Sequence, residues 1–392
     1  MSVIDSSKSP SYILMLPSWY PNHVDKADGN FIEKHIETIA EDKKVVVLFV
    51  KGIKKFEGNP SERFTHRNYH CVKRYFRSYP SILGKVINFW NFMKTLNNEF
   101  IAIREQHGLP SMTHIHVVGR SSLLAVRLKR KYGIPFMVSE HWGGYYVESG
   151  KMGSTKRLFN RYILKQAKAL TAVSESLSTA MKLLVPSADI QIVPNVVADV
   201  FFEKQIKIDK GSEINLIHVS NMVPVKRLDA IIRSVNILAS EHANLNLVIV
   251  GDGPSRAKME QLALEQPNLK NRVSFKGDIS QDAIATLLQE STASVLFSKY
   301  ETQSLALMES IAMGVPVVAP AVGGIPEYFH DKGILFSGTN EKDLLEALQT
   351  FLKKRNTFDS QSLRNYAIED FSSNRIKSQF YRLYDSLIPH VQ

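Results

Sequence analysis

Ten short apolar runs recur along nearly the whole chain, and segments with helical spacing of apolar residues separate them. We predict that each run is a β-strand, at residues 12–16, 45–50, 115–118, 135–139 and 169–173 in the first half and 215–219, 245–250, 272–275, 293–297 and 316–319 in the second. Strands that are apolar on both faces and alternate with helices form parallel sheets covered by helices. Two such sets predict an α/β fold with two facing Rossmann-like domains.

The length of 392 residues also favours two domains of similar size, and an apolar content of 44% is enough for two cores. We predict an N-terminal domain over residues 1–195 and a C-terminal domain over residues 196–370. Residues 371–392 carry apolar positions at helical spacing and predict a C-terminal helix. Because ligands of open α/β sheets bind at the carboxyl ends of strands, we expect the site in the interdomain cleft.

The composition narrows the class of protein. A single cysteine, Cys71, excludes an internal disulfide and is typical of a reducing compartment. The chain starts with no secretory signal pattern, and no apolar stretch approaches the roughly 18 residues of a membrane span. We therefore expect a soluble, cytoplasmic protein.

The net charge of +11 is unevenly distributed, because residues 120–168 contain eleven Lys or Arg and only two acidic residues. Segments 73–77 and 87–93 mix basic or polar residues with aromatic ones. Such surfaces suit a solvated basic face, an anionic membrane in peripheral contact, or nucleic acid. We expect no nucleic-acid partner because no nucleic-acid-binding motif occurs.

Two glutamates, Glu301 and Glu309, flank the predicted start of a helix that follows the strand at 293–297. A helix N-terminus offers unpaired backbone N–H groups and partial positive charge, which suit a phosphate. A carboxylate on each side could accept hydrogen bonds from hydroxyls of a sugar and a ribose, as in a nucleotide-sugar pocket. The alternative is an ordinary helix with an acidic first turn and a solvated glutamate.

Three weaker patterns precede these glutamates. Lys226 and Arg227 stand on a turn between a strand and a helix that begins near Leu228, where cations can reach a diphosphate, although plain surface charge is the alternative. Residues 251–253 form Gly-x-Gly without the third glycine of a dinucleotide fingerprint and predict a turn. Gly277 ends a short, edge-like strand where backbone groups could meet a nucleobase.

In this order the patterns resemble the C-terminal domain of the family-four retaining glycosyltransferases, which have the GT-B fold. That fold implies that the helix predicted at 371–392 returns to the N-terminal domain. The resemblance covers nearly the whole chain and is most specific from about residue 215 to 327. Its segments are Ser220-Asn-Met-Val-Pro-Val-Lys226, Val248-Ile-Val-Gly-Asp-Gly-Pro254, Val273-Ser-Phe-Lys-Gly277, the Glu301/Glu309 pair, Met313-Gly-Val-Pro-Val-Val318 and Gly323-Gly-Ile-Pro-Glu327, with looser likeness at Trp19-Tyr-Pro21, Gly29-Asn-Phe31, Glu140-His141 and Val193-Pro-Asn195.

The resemblance implies a role for each matching residue. Glu301 would contact hydroxyls of the donor sugar, Glu309 would hold the ribose, and Lys226 would neutralise the leaving diphosphate. His141 would lie on the acceptor side beside the reacting carbon, with a structural loop histidine as the alternative. The backbone N–H groups of Gln303, Ser304 and Leu305 would bind the diphosphate, and Gly29 would let the backbone approach the phosphates.

The chain departs from the family pattern at two positions of the donor site. Many members carry an arginine where this chain has Asn221, which donates a hydrogen bond but no charge, and Arg227 is the candidate to compensate. Gly29 is single where many relatives have a glycine pair. No Asp-x-Asp triplet occurs, and His114 and His116 share one strand face without an evident third ligand, so we expect no metal and no other cofactor.

These features predict a retaining transfer of a sugar from a nucleoside-diphosphate donor, preferably a UDP-sugar, to an acceptor hydroxyl. The acceptor could be lipid-linked or a cell-surface polysaccharide precursor. An epimerase or hydrolase with the same fold is the alternative enzyme, and a non-catalytic sugar-nucleotide or membrane-surface binding protein is the alternative class. A nicotinamide oxidoreductase fits least because neither half has the full phosphate-binding glycine fingerprint.

Overall fold

The computed structural model describes residues 12–55, 59–207 and 211–388, which group into two compact units. The first unit takes in the described residues up to Val173, residues 177–193, and those from Ile376 onward. The second unit takes in residues 174–176 and 194–375. Each unit contains one β-sheet covered by helices.

The sheet of the first unit has eight strands among the described residues, in the order β3-β4-β2-β1-β5-β6-β7-β8. They are β1 (Ile13–Pro17), β2 (Val45–Ile53), β3 (Ser61–His66), β4 (Tyr69–Arg77), β5 (Met112–His116), β6 (Phe136–Glu140), β7 (Ala169–Ala172) and β8 (Ile190–Ile192). All five strands predicted here are present, although β5 spans Met112–His116 and not the predicted residues 115–118. The sheet is parallel except for β3, which pairs antiparallel with β4.

The sequence analysis missed three strands of this sheet, β3, β4 and β8, and the reasons differ between β3 and β4. The edge strand β3 is exposed or half-buried along its whole length, so it lacks an apolar run. Strand β4 carries the basic segment 73–77, and the interpretation of this segment as a surface is wrong for Lys73. That side chain is buried, with its ammonium 5.4 Å from the ring centre of Tyr20. Cys71 is also buried in β4, and burial raises the pKa of its thiol to about 12.

Within the described residues, five helices follow strands of the first sheet along the chain. They are α1 (Asn30–Ala40), α2 (Ile82–His107), α3 (Ser122–Tyr132), α4 (Ser154–Gln166) and α5 (Glu175–Lys182). The longest, α2, packs against β2 and β4 through its second half, where Leu96, Phe100 and Ile103 are buried. Two short 3-10 turns, Gly143–Tyr145 and Val147–Ser149, follow β6.

The sheet of the second unit has six strands within the described residues, all paired in parallel in the order β11-β10-β9-β12-β13-β14. They are β9 (Ile214–Val219), β10 (Leu245–Val250), β11 (Val273–Phe275), β12 (Ala293–Val295), β13 (Val317–Pro320) and β14 (Gly333–Phe336). The five predicted strands are confirmed, and β11 is an edge strand as expected. The chain order reverses between β9 and β12, which is the point where open α/β sheets bind their ligands.

Eight helices lie among the described residues of the second unit. They are α6 (Val200–Glu203), α7 (Leu228–Ala239), α8 (Arg256–Leu264), α9 (Gln281–Gln289), α10 (Leu305–Ala312), α11 (Ile325–Phe329), α12 (Glu341–Lys354) and α13 (Ser360–Phe371). Successive residues of β9 alternate between two apolar clusters: Leu216 belongs to one, and Ile217 to the other. Since neighbouring side chains of a strand point to opposite faces, the sheet has a core on each face. Both faces are therefore apolar, as predicted.

The last helix, α14 (Ser373–Leu387), belongs from Ile376 onward to the first unit. The Tyr384 hydroxyl and His114 Nδ1 share a hydrogen bond of 2.7 Å, and Lys377 forms an ion pair of 2.6 Å with Glu41. Among the residues that the structure describes, no helix combines the length and apolar character needed to cross a bilayer.

Candidate active site

Lys226 and Glu301 meet at the point where the strand order of the second sheet reverses. Strands β9 and β12 are direct neighbours, with Leu216 opposite Ala293. Lys226 lies on the loop after β9, and Glu301 on the loop after β12. The Lys226 Nζ atom is 2.5 Å from Glu301 Oε1, and the two side chains are only 19% and 11% exposed. The structure thus brings together two predicted site residues at the carboxyl edge of the sheet.

The backbone holds these two loops against each other. Lys226 ends a 3-10 turn, Pro224–Lys226, and the next residue adopts a left-handed conformation before α7 begins. The backbone N–H of Lys299 donates to the carbonyl of Val225, at 3.0 Å. The position of Lys226 relative to Glu301 therefore depends on main-chain contacts as well as on the ion pair.

Gly323 packs directly against the backbone of the Glu301 loop. Its φ is +54°, and a Cβ atom at this position would lie 1.8 Å from the carbonyl oxygen of Glu301. The backbone N–H of the next residue, Gly324, donates to that same carbonyl at 3.1 Å. Only glycine permits both the backbone conformation and the close approach. This contact explains the glycine at position 323, and at Gly324 a Cβ atom would lie 2.2 Å from the carbonyl oxygen of Thr302.

Helix α10 begins directly after the Glu301 loop, with Ser304 as its N-cap and Leu305 as its first residue. The backbone N–H groups of a first helical turn have no partner within the helix and point along its axis. Gln303 Oε1 accepts a hydrogen bond from the backbone N–H of Asn195, at 2.8 Å. The N-terminus of α10 can therefore bind an anion beside the Lys226–Glu301 pair.

Glu309 lies within α10 and is buried, with 6% of its surface exposed. Burial raises the pKa of its carboxyl group to about 8. A carboxylate removed from water is stabilised when hydroxyl groups donate hydrogen bonds to it. Glu309 therefore suits a polar ligand that supplies such donors.

Arg227 and Asn221 take up different positions from Lys226. The Arg227 guanidinium donates to the carbonyl of Thr339 at 2.5 Å, and its Cζ lies 3.9 Å from the ring centre of Phe297. Asn221 is exposed. Arg227 is thus engaged with neighbouring residues of the second unit.

Gly277 follows β11 and accepts a hydrogen bond from the backbone N–H of Gly251, at 2.9 Å. This bond joins the carboxyl ends of β10 and β11. A turn follows β10 but lies later than the predicted 251–253, since the backbone N–H of Arg256 donates to the carbonyl of Gly253 at 3.1 Å. Gly277 therefore lies at the same edge of the sheet as Lys226, and it is buried.

Gly29 and His141 belong to the first unit. Gly29 precedes α1 with a φ of +68°, and a Cβ atom there would lie 2.5 Å from the carbonyl group of Trp19. Its glycine identity is thus explained by packing against the loop after β1. His141 follows β6, is buried, and has its ring centre 5.0 Å from that of Phe31.

The residue before His141 anchors its loop. The Glu140 carboxylate accepts hydrogen bonds from the backbone N–H of Val118 and the hydroxyl of Tyr145, at 2.9 and 2.8 Å. Burial of Glu140 raises the pKa of its carboxyl group. This network connects the ends of β5 and β6.

A cluster of buried imidazoles surrounds His141. Ligand atoms of His35, His116 and His141 all lie within 4.8 Å of one another, a grouping that could hold a metal ion. The expectation that His116 lies near no third metal ligand is therefore wrong. The sequence analysis missed this histidine cluster because His35 lies on α1, far from His116 in the sequence. The His114 ring centre lies 4.1 Å from that of His116, but both His114 ring nitrogens are engaged, with Tyr384 and Ser139.

The first unit also has a basic pocket that sequence reasoning did not locate. This cavity of about 370 Å³ lies at the carboxyl ends of β1, β2 and β5, and Lys51, Arg120 and Lys156 are among its lining residues. Lys51 pairs with Asp28 at 2.7 Å. Lys156 Nζ lies 3.4 Å from a Trp142 ring centre, and burial lowers the pKa of its ammonium group. Two of these basic residues come from the positively charged region 120–168.

Comparison with known families and curated proteins gives consistent matches. The family described as Glycosyl transferases group 1 matches residues 200–370, and the family described as Glycosyltransferase Family 4 matches residues 40–199. N-acetyl-alpha-D-glucosaminyl L-malate synthase of Bacillus anthracis is 31% identical over 69% of this chain and 73% of its own length. The gpi3 subunit of phosphatidylinositol N-acetylglucosaminyltransferase of Schizosaccharomyces pombe is 23% identical over 76% of this chain and 65% of its length.

Solved structures share the fold along almost the entire chain. Sucrose-phosphate synthase from Thermosynechococcus elongatus has a TM-score of 0.76 at 19% identity and covers 96% of this chain and 99% of its own. Anabaena HepE, in complex with UDP and glucose, has a TM-score of 0.70 at 16% identity and covers 96% and 100%. At these identities the likeness concerns the GT-B fold, which is the fold class predicted from the sequence.

Proposed function

Since the chain belongs to the group 1 glycosyltransferases of family four, we propose that it transfers a sugar from a nucleoside-diphosphate donor to an acceptor hydroxyl with retention of anomeric configuration. The observation that carries the proposal is the Lys226–Glu301 pair beside the first turn of α10. A cation, a carboxylate and free helix N–H groups match the diphosphate and the sugar hydroxyls of such a donor.

The reaction proceeds by front-face substitution at the anomeric carbon. The bond from this carbon to the diphosphate oxygen breaks, and its electron pair stays on the phosphate. The acceptor oxygen bonds to the same face, while its proton passes to the leaving phosphate. Lys226 neutralises the negative charge that develops there, which lowers the barrier most strongly late in bond cleavage.

Each further site residue has a positioning role in this proposal. Glu301 accepts from sugar hydroxyls, and Glu309 accepts from ribose hydroxyls. The N–H groups at Gln303, Ser304 and Leu305 bind phosphate oxygens. Asn221 donates a hydrogen bond to the diphosphate, and Arg227 supports the Lys226 turn through its contact with Thr339. Gly277 faces the base, Gly29 approaches the phosphates, and His141 lies beside the reacting carbon.

We propose a UDP-sugar as donor and an anionic compound as acceptor. The names of two relatives specify N-acetylglucosaminyl transfer, to L-malate in one and to phosphatidylinositol in the other. Both acceptors carry negative charge. The pocket with Lys51, Arg120 and Lys156 supplies matching positive charge in the first unit. A lipid-linked acceptor or a polysaccharide precursor with a phosphate or carboxylate fits this pocket.

The test is a donor panel of UDP-, GDP- and ADP-sugars, with nucleotide release measured in the presence of anionic and neutral acceptors. We expect UDP release that depends on the acceptor, a glycosylated product by mass spectrometry, and the donor's anomeric configuration in that product by NMR. Epimer or free sugar as the main product would contradict transfer, and an inverted linkage would contradict retention.

We also propose that transfer needs no metal ion, because Lys226 supplies the cation at the leaving group and the sequence has no Asp-x-Asp triplet. Turnover should be unchanged after treatment with EDTA. If EDTA abolished turnover and an added divalent cation restored it, this proposal would be contradicted. The candidate metal ligands would then be His35, His116 and His141.

A further inference from the structure

We propose that the first half of α2 is a membrane-docking surface that seats on a bilayer containing anionic phospholipid. Its contact residues, which we name the α2 stripe, are large apolar side chains that point into solvent. They are Ile82, Leu83, Val86, Ile87 and Trp90, which are 84%, 77%, 58%, 47% and 66% exposed. A soluble surface rarely leaves five such side chains exposed side by side.

The α2 stripe forms one continuous helical face. Its members are spaced at i, i+1, i+4, i+5 and i+8, positions that lie on one side of an α-helix. Residues 85–95, all of which the structure describes, include no buried residue, whereas Leu96, Glu99 and Phe100 are buried. The second half of α2 thus anchors the helix on the sheet, and the first half offers its apolar face to solvent.

Charge around the α2 stripe favours an anionic surface. Between Glu62 and Glu99 the sequence has seven Lys or Arg and no acidic residue. Lys85 and Lys94 are exposed on α2 itself, and the Glu99 carboxylate is already paired with Arg63 and Arg74. Basic residues beside an apolar helical face attract anionic headgroups while the apolar side chains enter the interface.

Aromatic residues favour a membrane over a second protein as the binding partner of the α2 stripe. Trp90 belongs to the α2 stripe, and Tyr79, 40% exposed, precedes α2 with Arg77 stacked 5.6 Å from its ring centre. Tryptophan and tyrosine prefer the level of the lipid headgroups. In a symmetric dimer through this face, Lys85 of one copy would approach basic residues of the other, which disfavours self-association.

The face of α2 opposite the α2 stripe borders the basic pocket of the first unit. Asn88 and Phe92 of α2 line that pocket, and the guanidinium carbon of Arg120 lies 6.0 Å from the Phe92 ring centre. A protein docked through the α2 stripe would therefore keep the pocket on the side of α2 away from the bilayer. Docking requires neither a donor nor turnover, so a failure of the proposed reaction would not contradict the membrane-docking proposal.

The test is flotation of the full chain with vesicles of phosphatidylcholine alone and of phosphatidylcholine mixed with phosphatidylglycerol. We expect binding to the mixed vesicles, little binding to phosphatidylcholine alone, and release at high salt. The variant Leu83→Gln/Trp90→Gln should bind at least about tenfold more weakly, because two apolar side chains no longer enter the interface. Glutamine keeps the helix, and circular dichroism verifies this.

The control variant is Ile237→Gln/Leu264→Gln, which changes two exposed apolar residues of the second unit, 49% and 82% exposed. It should bind vesicles as the unaltered chain does. Equal flotation of the α2 variant and the control would overturn the proposal, as would the absence of flotation with both vesicle types. A concentration-dependent dimer that only the α2 variant abolishes would instead assign the α2 stripe to a second copy and also overturn it.

Discussion

The ammonium group of Lys226 lies 2.5 Å from the carboxylate of Glu301, although 75 residues separate them in the sequence. The opposite charges of the pair offset each other, and both side chains are mostly shielded from water. In the proposed reaction, the negative charge of the diphosphate would compete for Lys226 and leave the Glu301 carboxylate available for hydroxyl groups.

Replacing Lys226 by alanine should lower kcat by about 10²–10³-fold, because the leaving diphosphate loses the cation that stabilises its developing charge. Steady-state kinetics with the preferred donor measure the effect. Lys258→Ala, at an exposed lysine on α8, is the matched control and should keep normal turnover. Turnover of Lys226→Ala equal to that of the control would contradict a catalytic role for Lys226.

Nucleotide binding should release close to one proton at pH 7. Burial raises the pKa of Glu309 to about 8, so the ligand-free carboxyl group is protonated at neutral pH. Ribose hydroxyls that donate hydrogen bonds favour the ionised form, so binding lowers this pKa and expels the proton. Affinity should consequently rise as the pH increases towards about 8 and then level off.

Calorimetry of UDP binding in buffers of different ionisation enthalpy counts the released protons. Glu309→Gln should bind UDP more weakly and without proton release. Glu346→Gln, at an exposed glutamate of α12, should behave like the unaltered chain. Proton release that persists in Glu309→Gln would locate the titrating group elsewhere.

Acid should destabilise the fold through its buried histidines. Burial lowers the pKa of His218 to about 4 and that of His114 to about 3. Below pH 6.5 the unfolded chain protonates these imidazoles while the folded chain does not. Stability is therefore intact above pH 6.5 and falls between pH 6.5 and about 4, by up to about 1.4 kcal/mol per pH unit for each histidine.

Urea unfolding across this pH range measures that slope. His218→Gln should make the slope shallower by about 1.4 kcal/mol per pH unit near pH 5. His330→Gln, at an exposed histidine, should leave it unchanged. An identical slope in both variants would contradict the contribution of His218.

An alanine at position 323 should displace the Glu301 loop. The added Cβ would lie 1.8 Å from the Glu301 carbonyl oxygen, and φ is already left-handed. We expect a loss of about 3 kcal/mol in the free energy of unfolding together with reduced donor binding. Gly133→Ala is the matched control, since its φ is +70° but no atom lies within 4 Å. It should lose only about 1 kcal/mol, and equal losses would show that the contact is unimportant.

The strands were largely predictable from the sequence because their signal is local. Both faces of β1, β2, β9 and β10 are buried or nearly so, and the resulting apolar runs stand out against helical spacing. Strand β14 was missed because its four residues are only half-buried. The edge hairpin of β3 and β4 was missed because it is rich in polar and basic residues.

The candidate site was predictable as a set of residues but not as a geometry. Lys226 and Glu301 could be singled out because each follows an apolar strand and precedes a helix. Their pairing depends on β9 lying beside β12, which is a tertiary relationship. The three-histidine cluster gave no local signal, because His35, His116 and His141 lie on a helix, a strand and a loop that only packing brings together.

By itself the sequence determined the α/β class, the ten strands it predicted and the residues on their carboxyl-terminal loops, because apolar periodicity and turn residues act over a few positions. The tertiary structure alone decided which loops meet, which lysine is buried, and that the α2 stripe has no cover among the described residues. These outcomes depend on strand order and on how helices share the available apolar surface, and both are set by contacts between distant parts of the chain.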